Sequence, residues 1–262
     1  MDTRLHVLGK EHNRIIVMIH GTGMSWDMLM NSADILKNNY CVILVSVPGH
    51  DPQTTEEFTS VEQIAEEIET GLIETGRSTV DLLYGLSMGG GIAIRMLADN
   101  RIDVKHAIID AGITPYELPW LITRLILVKD FLMMEWGKHS KRALSLAFPA
   151  KEYTQEGLDL MHRVLRHMTT KTIWRVYDST DNYSMPASFP DLRTIIEYWY
   201  GSREEKDRKL DIQYARKHLP NVRFRKIDGM MHGQYATVFA GFFATDIEYR
   251  MKRLEINIGG EP

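Results

Sequence analysis

A chain of 262 residues, 44% hydrophobic and 25% charged, has a globular composition and is long enough for one large domain or for a core domain carrying an inserted unit. Its formal charge of −4 supplies no positive field for a polyanion, which argues against nucleic acid as a partner. The only cysteine, Cys41, excludes an internal disulfide and a paired-cysteine zinc site; within the apolar run CVILVSV it reads as a buried, inert thiol and fits a reducing cytoplasm.

The first residues, MDTRLHVLGKEHNR, carry charges throughout and no apolar core of a signal peptide, so secretion is not expected. IIVMI (15–19) reads as a buried strand, followed by HGTG and a helix over 26–37. CVILVSV (41–47) is the next strand; it leads through VPGHD, where His50 reads as a loop histidine near the sheet edge, to a helix over 61–75. TVDLLYG (79–85) runs into a helix over 87–98, and VKHAIIDA (104–111) follows. Between Thr114 and Pro190 the rhythm breaks into helical patterns without a strand, bordered by Pro115, Pro119, Pro186 and Pro190. Its greasiest helix, 118–136, is interrupted by Arg124, Lys129 and Asp130, so it reads as a soluble amphipathic helix and no membrane span is expected. Alternation resumes with LRTIIEYWY (192–200), a charged helix near 203–218, VRFRKID (222–228) and a last helix near 234–253. Continuous apolar strands separated by helices indicate a mostly parallel, doubly wound sheet covered on both faces, an α/β fold. The division expected is a core of residues 1–113 and 191–262 with a helical insertion over 114–190.

GLSMG (85–89) matches G-x-S-x-G, in which glycines two before and two after the serine relieve crowding at a strained strand-to-helix turn that pushes the hydroxyl outward. Its position, after LLY of a buried strand and before the glycine-rich GGGIAIRMLA, makes Ser87 the candidate nucleophile. A serine needs a base, and among the 10 histidines His232, in DGMMHGQYA after the last strand, lies at the carboxyl edge of the sheet where ligands bind in open α/β folds. The base in turn needs a carboxylate to hold its tautomer. Glu204, after the turn in IIEYWYGSREE, is the candidate, with Glu205 and Asp110, at the end of HAIID, as alternatives. Backbone amides of HGTGMS suit an oxyanion: that of Thr22, with Gly23 as the alternative, and that of Met88 just after the serine. HGTG lacks both G-x-x-x-x-G-K-[ST] and G-x-G-x-x-G, and no HExxH or clustered ligand spacing occurs, so neither a nucleotide cofactor nor a metal is expected.

Taken in order, HGTG, VPGHD, GLSMGG, a helical insertion, YGSREE and MMHG resemble the α/β-hydrolase superfamily over nearly the whole chain. The resemblance implies a sheet of about eight mostly parallel strands, Ser87 as nucleophile, His232 as general base and then acid, Glu204 as orienting acid, and the insertion as a cap or lid. The acid position more often holds Asp in that superfamily, and some members place it one strand earlier, which keeps Asp110 open. The expected activity is cofactor-free hydrolysis of a carboxylic ester of a small, largely apolar substrate through an acyl-enzyme, by a cytoplasmic monomer or homodimer. Thioesterase, lactonase, C–C bond hydrolase or acyltransferase chemistry with the same triad are the alternatives, as is a small-molecule receptor on a hydrolase scaffold. A nucleophilic Asp, as in dehalogenases and epoxide hydrolases, is replaced here by Ser87. In the insertion, Met133, Met134, Met161 and Met168 are candidate apolar contacts, and His162, Arg163, Arg166 and His167 candidate readers of a substrate carboxylate; plain packing and solvated helix charge are the competing readings.

Overall fold

A strand covered by helices on both faces needs apolar side chains at every position rather than every second one, and the unbroken Val/Ile/Leu runs form such strands. The structure, a computed structural model, describes residues 4–258, so the outermost residues of the assigned core, 1–3 and 259–262, lie outside the described residues. Strands β1 (Leu5–Leu8), β2 (Ile15–Ile19), β3 (Cys41–Val45), β4 (Thr79–Leu86), β5 (Asp103–Asp110), β6 (Ile195–Gly201) and β7 (Arg223–Ile227) form one sheet in the order β1-β3-β2-β4-β5-β6-β7. All neighbours are parallel except β1 and β3. The described residues thus hold seven strands where the resemblance implies about eight. β1 was not expected: all four residues of LHVL are half-buried, so the segment gives no continuous apolar run, yet it covers the edge of β3 from Leu5 opposite Val45 to Leu8 opposite Val42.

Helix α1 (Met30–Leu36), entered through a 3-10 turn (Trp26–Leu29), packs with the last long helix, Ala240–Ile258. Helices α2 (Val61–Glu74) and α3 (Met88–Asp99) pack together, with α3 on β2, β4 and β5. Between β5 and β6 lie α4 (Trp120–His139), α5 (Lys141–Ala147), α6 (Ala150–Tyr153), α7 (Gln155–His167) and α8 (Thr170–Thr180), with no strand among the described residues. Ser140, Thr154 and Thr169 cap three of them by accepting the amides of Ala143 (3.3 Å), Gly157 (3.1 Å) and Thr172 (3.0 Å). α7 buries Leu158, Met161, Val164 and Leu165, one stripe at helical spacing. α4 is apolar nearly all round, so packing against α5, α7 and α8 covers one stripe and leaves Trp120, Leu125 and Trp136 at 70%, 63% and 59% exposure. No helix among the described residues is long and apolar enough to cross a membrane.

The remaining helices are α9 (Lys209–His218), between β6 and β7, then α10 (Gln234–Thr237) and α11 (Ala240–Ile258). The helix expected near 203–218 starts only at Lys209, and the one expected near 234–253 breaks after Thr237. Both departures serve loops at the carboxyl edge of the sheet, described below.

β4 passes into α3 with Ser87 as the single joint. A Cβ on Gly89 would stand 2.4 Å from the Ile19 carbonyl oxygen, and one on Gly85 2.2 Å from that of Gly89, so only hydrogen fits where the first turn of α3 meets the sheet. Gly89→Ala should therefore cost on the order of 2 kcal/mol of stability by overpacking. Gly241→Ala, in the first turn of α11 with open space around it, should stabilise by about 0.5–1 kcal/mol. Thermal denaturation of both variants checks this, and equal shifts would contradict the close-approach account.

Candidate active site

Ser87 sits at φ 54° and ψ −115°, a left-handed conformation that costs a residue with a Cβ on the order of 1–3 kcal/mol. Such strain persists only where the surroundings over-determine it. Here the Ser87 amide donates to the Asp110 carbonyl (2.8 Å), and its carbonyl accepts from the amides of Gly91 (3.1 Å) and Ile113 (3.2 Å). Ser87 lines a cavity of about 470 Å³, within the range of small-ligand sites, whose wall also includes Gly21, Thr22 and His232.

Glu204 and His232 meet across the ends of β6 and β7. Glu204 folds back on its own turn, its Oε1 accepting the Gly201 amide at 3.0 Å, which is why turns precede α9 where helix was expected. Its Oε2 lies 2.6 Å from Nδ1 of His232. Burial opposes the charge on Glu204, but His232, the Gly201 amide and the Arg208 guanidinium outweigh it and hold the carboxyl below its usual range. An ionised Glu204 accepts, so Nδ1 of His232 carries the proton and donates, leaving Nε2 as a free acceptor. The loop that carries the ring is held through its main chain: the Tyr153 hydroxyl donates to the His232 carbonyl (2.8 Å). The Met231 amide donates to Oε1 of Gln234 (3.0 Å), and Nε2 of Gln234 donates to the Glu152 carbonyl (2.8 Å), tying this loop to α6. Neither Tyr153 nor Gln234 was anticipated, because their bonds to His232 and Glu152 join segments 79 and 82 residues apart in the chain.

The alternative acids have other partners. Glu205 is exposed and lies 3.4 Å from Lys226. Asp110 is buried and accepts the Tyr84 hydroxyl at 2.7 Å; burial above all, with Glu204 nearby, raises its pKa to about 7 against the pull of Tyr84. The structure thus joins Glu204 to His232 and places Asp110 and Glu205 elsewhere. Ser87 and His232 share the cavity wall without a direct hydrogen bond among the described residues.

The HGTG turn is pinned by its own histidine. Nε2 of His20 accepts the Val47 amide (3.2 Å) and its Nδ1–H donates to the Gly21 carbonyl (2.9 Å), linking this turn to the loop after β3. Burial lowers the His20 pKa to about 4, so the link is neutral at physiological pH. A Cβ on Gly21 would stand 3.3 Å from that of Ser87, so the turn lies directly beside the serine. Thr22 lines the cavity, Gly23 next to it adopts φ 71°, and Met88 opens α3.

Of the insertion residues singled out, Met133, Met134 and Met161 line the cavity, while Met168 is buried outside it. His162, Arg163 and Arg166 lie around a separate surface depression with Lys141 and Asp159, and His167 in neither. At 100° per residue Arg163 and Arg166 point away from the buried stripe of α7 while His162 flanks it, and none of the four expected carboxylate readers lines the cavity that holds Ser87. The cavity wall instead includes Tyr116, Asp130, Tyr177, Asp181 and Arg208, none of which was singled out. Among the described residues no group of three or more His, Cys, Asp or Glu side chains could hold a metal ion.

The model of the alpha/beta hydrolase family matches residues 16–241. Curated protein sequences give no significant match. Among solved structures, an alpha/beta hydrolase family protein from Desulfitobacterium hafniense shares 20% identity over 94% of this chain and 99% of its own, with a TM-score of 0.72. MenH from S. aureus shares 17% over 96% and 98%, with a TM-score of 0.70. An esterase from Thermogutta terrifontis shares 14% over 95% and 92%, with a TM-score of 0.72. At such identities the likeness is one of fold.

Asp110 should leave a pH signature. Unfolded, its carboxyl ionises near 3.8; folded, it keeps its proton to about 7. Between those values the folded state binds the extra proton, so this group's contribution to stability falls as pH rises. Asp110→Asn retains an acceptor for Tyr84 and removes that slope. Thermal denaturation from pH 4 to pH 7 should show the variant gaining on the wild type by about 3 kcal/mol; parallel curves would refute the assignment.

Proposed function

The chain belongs to the alpha/beta hydrolase family, and from that premise we propose that it is a serine hydrolase cleaving a carboxylic ester of a small, largely apolar substrate through an acyl-enzyme. The observation that carries this reading is the 2.6 Å contact between Nδ1 of His232 and Glu204, beside a strained Ser87 on the wall of the same cavity. The esterase among the structures sharing the fold adds support.

In this mechanism Nε2 of His232 takes the proton of Ser87 Oγ as the oxygen attacks the ester carbonyl, and Glu204 stabilises the imidazolium through Nδ1–H. The developing oxyanion is received by the amides of Met88 and Thr22; the Met88 amide, at the start of α3, has no intrahelical partner and lies at the positive end of the helix dipole. Collapse expels the alcohol with the proton from His232, and a water activated by the same nitrogen releases the acid. The helical unit 114–190 acts as a cap over the serine, its Met133, Met134 and Met161 supplying adaptable apolar contacts to the acyl or alcohol part.

A panel of p-nitrophenyl esters of increasing chain length tests the roles. Ser87→Ala and His232→Ala should each lower kcat by on the order of 10⁴–10⁶-fold, and Glu204→Gln by about 10⁴-fold, with KM little changed and melting temperatures near that of the wild type. Turnover that survives in Ser87→Ala would overturn the proposal.

A further inference from the structure

The cavity wall has a polar stretch that the chemistry above does not use, formed by Tyr116, Asp130, Tyr177, Asp181 and Arg208. We propose that it is a subsite for an alkylammonium group, so that the substrate is an ester carrying a positively charged amino group, held by Asp181 and Asp130 beside the rings of Tyr116 and Tyr177. This rests on the ester-cleaving reading of the cavity and adds its substrate class.

Asp181 is the key residue. It is 2% exposed and lines the cavity, yet its Oδ2 has no hydrogen-bond partner. A buried carboxyl oxygen without a partner is costly, and native structures retain few of them without a reason. The backbone of Asp181 is fully engaged, its carbonyl accepting the Tyr116 amide (2.9 Å) and its amide donating to the Tyr177 carbonyl (3.3 Å), so the main chain fixes where the carboxyl stands.

The charges around it call for a cation. Arg208 stands between two carboxylates, with Nη1 3.2 Å from Oδ2 of Asp211 and Nε 3.8 Å from Oε2 of Glu204, close enough for ion pairing although neither nitrogen makes a hydrogen bond. Lys129 lies 3.0 Å from Asp130 but is 64% exposed, where solvent screens it. Against Arg208 stand Glu204, Asp211 and Asp130, so carboxylates outnumber the guanidinium even while Asp181 holds its proton. Burial first, then Asp130 and Asp211, push the Asp181 carboxyl up to about 8 against the smaller pull of Arg208 and Lys129, so it holds its proton near neutral pH; an ammonium group beside it would ionise it. Tyr116 and Tyr177, raised by burial and by the same carboxylates, stay neutral and line the cavity, where an aromatic ring or a hydroxyl oxygen can receive a cation. An anionic group would meet the excess carboxylates with only a shared guanidinium in its favour.

The test compares phenyl esters of 6-aminohexanoate, its neutral isostere heptanoate, and the anionic pimelate monoester. The wild type should prefer the aminohexanoate ester over the heptanoate ester by about tenfold or more in kcat/KM, with pimelate poorest. Asp181→Asn should bring that ratio close to one, and Asp130→Asn should lower it less. A wild-type preference for heptanoate or pimelate, or a ratio unchanged in Asp181→Asn, would overturn the subsite. Calorimetric titration of the folded Ser87→Ala protein with hexylammonium chloride decides the matter without turnover. Binding that disappears in Ser87→Ala/Asp181→Asn supports the subsite even if no ester is cleaved, and absence of binding refutes it even if esters are.

Discussion

The contact that everything at this site depends on is the one between the first turn of α3 and the end of β2. The Ile19 carbonyl oxygen occupies the space that a side chain on Gly89 would need. With hydrogen there, β4 can turn into α3 within one residue, and that residue is held in a left-handed conformation that aims its side chain off the sheet. The same closeness leaves the Met88 amide, free of any helical partner, next to Ser87. Strain on the serine, the donor beside it and the cavity above it are therefore consequences of one steric condition.

Parallel pairing supplies the rest. Strands β2, β4, β5, β6 and β7 all end at one edge, so residues far apart in the chain meet there. The loops after β6 and β7 are laced together: the Ser202 amide donates to the Ile227 carbonyl (2.9 Å), the Arg203 amide to the Met230 carbonyl (3.1 Å), and the Gly229 amide to the Ser202 hydroxyl (2.9 Å). These bonds hold the Glu204 turn and the His232 loop in a common frame, so the ring and carboxylate meet at 2.6 Å without depending on side-chain freedom.

What could be read in advance follows the physics of each element. Strands buried on both faces write continuous apolar runs, so IIVMI, CVILV and DLLYGL were legible, whereas LHVL at the edge, half-buried and flanked by charge, was not. GLSMG and MMHG were legible because local sterics and loop position dictate them. Spacing could not separate Glu204 from Glu205, since both follow Gly201 in one turn; only the fold-back of Glu204 onto the Gly201 amide distinguishes them. The insertion was legible as helices but not as a cavity wall. Asp181 lies in the polar stretch DSTDN and Arg208 in a charged one, and their burial arises from helices packing onto a core distant in sequence. In α7, periodicity alone places Arg163 and Arg166 off the buried stripe, so that part was available from the pattern.

The central claim is that Ser87 is the activated nucleophile. Intact-mass spectrometry of the protein incubated with a fluorophosphonate, followed by peptide mapping, measures this directly. The account predicts a single stoichiometric adduct on the peptide containing Ser87, formed far more slowly when His232 is replaced by Ala. An unmodified Ser87, or an adduct forming at the same rate without the histidine, would contradict it.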